Sequence, residues 1–225
     1  LRTHNPSPFG GYLDCGDHQI ICASPERFLR LRDGVVETRP IKGTRKRGET
    51  PEEDEALRRE LEQSEKDKSE LLMIVDLERN DLNRVCRPGS VRVTELFTVE
   101  AYATVFHLVS NVEGELTEDR DVMDLMEAAF PGGSITGAPK YRAMEIIDEL
   151  ENKKRGVYGG TVGYLGFDGN IDTCIAIRTV VFKDGKGYVQ AGAGIVNDSV
   201  PEKEFMETKN EALAVVNAVK EAARL

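Results

Sequence analysis

The chain has 225 residues, of which 40% are hydrophobic and 31% charged, and its net charge is −10. That length suits one large domain or two small ones, with enough apolar content for a buried core. The negative balance argues against nucleic acid as a partner, because phosphate binding needs clustered positive charge, and no apolar run approaches the roughly 20 residues of a membrane helix.

The first forty residues predict short, partly alternating strands at 11–15, 19–23 and 28–32. Asp33-Gly34 is a hairpin signal, with a strand returning over 35–38. Thr50-Pro51-Glu52-Glu53 fits a capping box, with proline in the first helical turn. One highly charged helix is expected over 52–68, and a more apolar helical stretch continues from Glu70. Arg87-Pro88-Gly89 is a turn; strands follow at 90–97 and 104–112, and a short helix at 121–129. A glycine-rich turn, 132–137, opens a helix that runs to about residue 150. Strands resume at 159–167, and segments 174–182 and 187–195 read as a hairpin around Lys183-Asp184-Gly185-Lys186. The last helix starts near Pro201, with Ser199 and Glu202 as a second capping box. Strands come in runs with helices between them and without strict alternation, which predicts an α+β fold with largely antiparallel sheets. No repeat or interdomain linker is visible, so residues 1–225 read as one domain. Cys15, Cys22, Cys86 and Cys174 show no C-x-x-C spacing, and reduced thiols in the cytoplasm are the default.

Several residues stand out chemically. Lys42 is held between Pro40-Ile41 and Gly43 at the end of a predicted strand, where a solvated turn lysine is the plain reading. On the last helix Glu204, Glu207 and Glu211 sit at i, i+3 and i+7 and share a face. That face is either a solvated acidic surface or a hard-cation site, since magnesium takes a few carboxylates plus water and substrate oxygens. Glu70 is a candidate for a facing carboxylate. Arg178, among apolar strand residues, is either a structural ion-pair partner or a clamp on a substrate carboxylate. Ala191-Gly192-Ala193-Gly194 can turn tightly, or let its amides approach an anion. The turn ahead of Pro139 offers free backbone N–H groups but lacks the Walker A spacing. His107 reads as a half-buried, satisfied histidine, and Glu26 in Ser24-Pro25-Glu26-Arg27-Phe28 as a surface ion-pair partner or a carboxylate at a strand start.

Taken together, residues 24–28, 39–44, 73–81 (M-I-V-D-L-E-R-N-D), 107–110 and 131–140 resemble the chorismate-utilising enzymes. Residues 142–149, 158–170, 172–179 and 190–199 continue the likeness, in the family's order, from about Asn5 to Val219. Pro40-Ile41-Lys42-Gly43-Thr44 and Gly133-Ser134-Ile135-Thr136-Gly137 resemble the aminodeoxychorismate synthase branch; the sister anthranilate synthase branch carries alanine where Lys42 stands. The resemblance implies a four-layer α/β/β/α sandwich of two antiparallel sheets flanked by helices. It implies amination of chorismate with ammonia from a glutamine amidotransferase subunit, with no nucleic acid and no membrane involved. It assigns Lys42 as nucleophile and Glu26 as general acid. His107 and Thr136 line the ring, while Tyr164, Arg178 and the amides of Gly192, Ala193 and Gly194 hold carboxylates. Glu70 and Glu207, with Glu204 close by, hold magnesium. A lysine attacks as the free amine, and Arg39 and Arg45 are the cationic neighbours expected to favour that form. Two departures stand out: Glu211 occupies the place of a family lysine, and family chains are much longer at the N-terminus, so Leu1 reads as a truncation. The rival expectations are anthranilate synthase, which also eliminates pyruvate, and a fragment that binds chorismate without turnover.

Overall fold

The structure is a computed structural model that describes residues 7–222. In chain order its elements are β1 (Phe9–Asp14), β2 (Gln19–Ser24), β3 (Arg27–Arg32), β4 (Val35–Arg39), β5 (Ile41–Lys46), α1 (Pro51–Gln63), α2 (Glu65–Asn83), β6 (Arg92–Ala101) and β7 (Val105–Glu115). There follow α3 (Val122–Ala129), α4 (Gly133–Thr136), α5 (Lys140–Leu150), β8 (Thr161–Leu165), β9 (Ile171–Ile175), β10 (Thr179–Lys183), β11 (Lys186–Val189) and α6 (Pro201–Ala222). The α+β class is as expected.

The chain forms two compact units. Unit 1 comprises the chain through Glu26, Lys153–Val162 and the chain from Cys174; unit 2 comprises Arg27–Asn152 and Gly163–Thr173. In unit 1 a four-stranded sheet runs β1-β2-β10-β11, each pairing antiparallel. Its buried residues include Cys22, Ala23, Ile175, Ala176, Val180 and, on α6, Val215.

Unit 2 carries the larger sheet, in the order β5-β7-β4-β3-β9-β8, with β6 also paired to β7. Asp33 and Gly34 take φ values of 51° and 80° between β3 and β4, the two positive angles a two-residue turn needs to match strand twist. Helix α2 buries Leu71, Ile74, Val75, Glu78 and Leu82, an i, i+3, i+4, i+7, i+11 stripe. β7 is buried over Phe106–Val112, as befits a strand paired on both edges.

Three predicted elements are divided. The charged helix breaks at Ser64, whose backbone leaves the helical region and whose hydroxyl accepts from Asp67 N–H at 3.3 Å. Ser-Glu-Lys-Asp is itself a helix-start signal. The glycine-rich helix divides at Gly137, where φ is 126°, and α5 restarts at Lys140. The strand predicted over 174–182 is interrupted: β9 ends at Ile175, β10 begins at Thr179, and Arg178 between them has φ 49°. β11 stops at Val189 rather than reaching 195, because Ala191-Gly192-Ala193-Gly194 has little side chain to pack on a sheet. Ser199 uses its hydroxyl to accept from Val196 N–H at 3.0 Å, ahead of α6.

Candidate active site

Lys42 owes its position to a bulge. On β5, Ile41 faces Val109 and Thr44 faces His107 on β7, so three steps on one strand match two on the other. Such an extra residue twists a strand locally and re-aims a side chain. Gly43 carries φ 81°, the left-handed conformation that this kind of bulge places on glycine. Lys42 is half-buried, and its Nζ donates to the Ser134 carbonyl at 3.3 Å. The lysine and the glycine-rich turn, far apart in sequence, therefore meet. Thr136 in the same turn donates its hydroxyl to the Gly132 carbonyl at 2.9 Å. Next along β5, Thr44 Oγ1 lies 2.9 Å from Nδ1 of His107, which is 3% exposed and meets the Tyr102 ring edge-on.

The arginines expected to favour the free amine are engaged elsewhere. Arg39 pairs with Glu95 and Glu100, and Arg45 with Glu60 and Asp67. Each guanidinium is neutralised by carboxylates of its own. Tyr164, on β8, is exposed.

In unit 1 a small cavity is lined by Tyr158, Arg178, Gln190, Ala191, Glu211 and Ala212. Arg178 Nη2 lies 3.6 Å from Glu211 Oε1. Gly192 and Gly194 are exposed and Ala193 half-buried. A Cβ on Gly192 would sit 3.1 Å from the Tyr158 hydroxyl, so a larger residue there would press on the end of that side chain. Lys209 lies 4.4 Å over the Phe205 ring, away from the part the family lysine would play.

Glu26, the last residue of unit 1 before β3, is 6% exposed, and its N–H meets Ser24 Oγ at 3.3 Å. The surface ion-pair reading gives way to a buried carboxylate. For magnesium, the donor chemistry fits: Glu204 is 5% exposed and Glu207 follows one turn on, both offering the oxygens that a hard cation takes. Glu70, in unit 2, is a largely buried carboxylate with Oε1 3.6 Å from Lys66 Nζ. Among the described residues no group of three or more His, Cys, Asp or Glu forms a ready-made metal cage. Water and substrate oxygens would have to complete the shell.

The family profile for chorismate binding enzymes matches residues 1–217. The chain belongs to the chorismate-binding enzyme family. It is 55% identical over 225 residues to anthranilate synthase component 1 of Acetivibrio thermocellus, covering all of this chain and 46% of that protein. It is 52% identical over 219 residues to aminodeoxychorismate synthase component 1 of Bacillus subtilis (strain 168), covering 97% of this chain and 47% of the relative. The crystal structure of anthranilate synthase component I from Streptococcus pneumoniae TIGR4 superposes with a TM-score of 0.87 at 46% identity, over 96% of this chain and 47% of that one. The chain thus spans about half the length of the curated relatives it matches.

This member of the family also contains a buried ion pair that sequence reasoning passed over. Lys140 Nζ is 2.6 Å from Asp81 Oδ2 and 2.8 Å from the Ala129 carbonyl. Burial holds Asp81 above the usual carboxylate range, against the opposing pull of Lys140. The pair ties the start of α5, just after the glycine-rich turn, to α2. Both residues lie in stretches that carried the family likeness, but their neighbours in sequence are largely polar or turn-forming, so no local signal marked them as a buried pair. Another network joins Arg27 to Glu37 and Asp172 within unit 2. Among the described residues no helix is long and apolar enough to cross a membrane.

Proposed function

We propose that the chain is the chorismate-binding part of an aminodeoxychorismate synthase component I, which converts chorismate and ammonia to 4-amino-4-deoxychorismate. The observation that carries this reading is Lys42, set on a glycine bulge and directed at the glycine-rich turn. In the proposed reaction the free amine of Lys42 attacks the ring while Glu26 gives its proton to the departing hydroxyl, which leaves as water. Ammonia from a glutamine amidotransferase partner then displaces Lys42, and the amino group takes the place of the hydroxyl. His107 and Thr136 would border the ring, and Arg178, Tyr164 and the amides of Gly192, Ala193 and Gly194 would receive carboxylates. Magnesium, with Glu70, Glu204 and Glu207 as its proposed ligands, would make the ring more electrophilic by binding its carboxylate. Cytoplasmic location and a role in folate synthesis are part of the same proposal.

The alternative is anthranilate synthase component I, favoured by the name of the relative at 55% identity. The test is to incubate the whole natural protein with chorismate, magnesium and ammonium, and resolve the products by mass. An aminated ring that keeps its enolpyruvyl group supports the proposal; anthranilate with free pyruvate overturns it. A Lys42→Ala variant should lose at least about a hundredfold in synthase rate, as removal of an essential nucleophile does. An undiminished rate would remove Lys42 from the chemistry.

A further inference from the structure

Arg178 is an under-used cation. It stands at a non-glycine position with φ 49°, and its side chain is 17% exposed. Among the described residues its one ionic neighbour is Glu211, 3.6 Å away, beyond the roughly 2.7–2.9 Å of a charge-assisted hydrogen bond. Its Nε is buried and makes no hydrogen bond among the described residues. A guanidinium bound by a matching carboxylate makes two parallel bonds, and this one makes neither with Glu211. Glu211 is 34% exposed, on a flexible side chain with a route to water.

We infer that Glu211 is a resident competitor for Arg178. It neutralises the guanidinium when no ligand is bound, and must give way when a ligand carboxylate docks against Arg178 in the cavity beside Tyr158 and Gln190. The affinity for that carboxylate is then set by Glu211 as well as by Arg178. This rests on the reading that Arg178 receives a carboxylate of chorismate, and it makes Glu211 a residue that tunes substrate affinity. The chemistry is direct exchange of one carboxylate for another on the same cation, so removing the internal one must tighten the external one.

The experiment is calorimetric titration of chorismate at fixed magnesium into the whole natural protein and its Glu211→Gln, Glu211→Ala and Arg178→Met variants. Both Glu211 variants should bind chorismate about tenfold more tightly, which corresponds to about 1.4 kcal/mol. Their KM should fall by a similar factor, with kcat changed by less than about twofold, the signature of a change in ground-state binding. Arg178→Met should bind much more weakly than wild type. If the Glu211 variants bind equally or more weakly while Arg178→Met loses affinity, Glu211 is a strut that positions Arg178, and the competitor role is wrong although the clamp stands. If Arg178→Met binds like wild type, or no form binds chorismate, the clamp reading fails and the inference with it. Using two Glu211 substitutions keeps the result readable if one of them fails to fold.

Discussion

Replacing Lys140 with methionine tests how the glycine-rich turn is anchored. Lys140 and Asp81 are 16% and 8% exposed at a separation of 2.6 Å. Without the lysine, Asp81 must fold either as a buried, unpaired charge or as a neutral acid. The neutral route caps the loss. Raising its protonation from the ordinary value of 3.8 to the working pH costs about 1.36 kcal/mol per pH unit, hence at most about 4 kcal/mol at pH 7 and about 1.6 kcal/mol at pH 5. The Ala129 carbonyl also loses its 2.8 Å donor, worth about 1 kcal/mol at either pH. Lys140→Met is therefore expected to lose up to about 5 kcal/mol at pH 7, and to regain up to about 2.7 kcal/mol of that at pH 5.

The sign follows from the raised value of Asp81 in the folded protein. A carboxyl held high favours folding in its protonated form. Its contribution is complete below 3.8 and is lost as pH climbs through the folded value, so acid rescues the variant. Urea unfolding at pH 5, 6 and 7 measures this, and Asp81→Asn/Lys140→Met should be nearly flat across that range and more stable than the single variant at pH 7. A loss that does not change with pH, or a double variant no better than the single one, would refute the reasoning.

Two further changes probe the bulge. Gly43→Ala would place a Cβ 2.8 Å from Asp67 Cγ and 2.9 Å from Leu61 Cδ1, on a backbone at φ 81°; a destabilisation of about 2 kcal/mol or more is expected by denaturant titration, with loss of turnover. Thr44→Val keeps the shape but removes the hydroxyl 2.9 Å from His107 Nδ1, so it should lower stability by about 1 kcal/mol and raise the KM for chorismate if the ring lies against His107.

The legible parts of the fold were those with a local cause. Asp33-Gly34, the Thr50 cap and the more apolar helical stretch from Glu70 each follow from a few adjacent residues, and each is found. Thr50 accepts from Glu53 N–H at 3.2 Å, while the Glu53 carboxylate turns to Glu49 N–H at 2.9 Å, so only half of the expected capping box closes. Lys42 could be singled out from its proline and glycine, but its meeting with the Ser134 carbonyl joins residues 92 apart and has no local signal. The pairing of Arg39 and Arg45 with carboxylates on other elements was equally hidden, since charge sign along the chain does not say which partner the fold brings near. For the same reason Glu211 looked like a missing lysine, when its nearest ionic partner is an arginine 33 positions away.

Lys42 and Arg178 are both placed where strand regularity fails, but by different means. A regular strand sends successive side chains to opposite faces, so aiming one of them differently requires a break. At Lys42 the break is carried by the neighbouring glycine, and the sequence advertises it. At Arg178 the residue itself takes φ 49°, no glycine marks the spot, and apolar neighbours extend the apparent strand straight through it. That difference has a measurable consequence. At an ordinary strand position glycine is less stable than alanine by about 0.5–1 kcal/mol. In the left-handed region the order reverses, because alanine retains a steric penalty of about 1 kcal/mol that glycine escapes. Arg178→Gly should therefore unfold at higher urea than Arg178→Ala, though both lack the guanidinium. The opposite order would mean that Arg178 sits in ordinary extended backbone, and that its placement needs another cause.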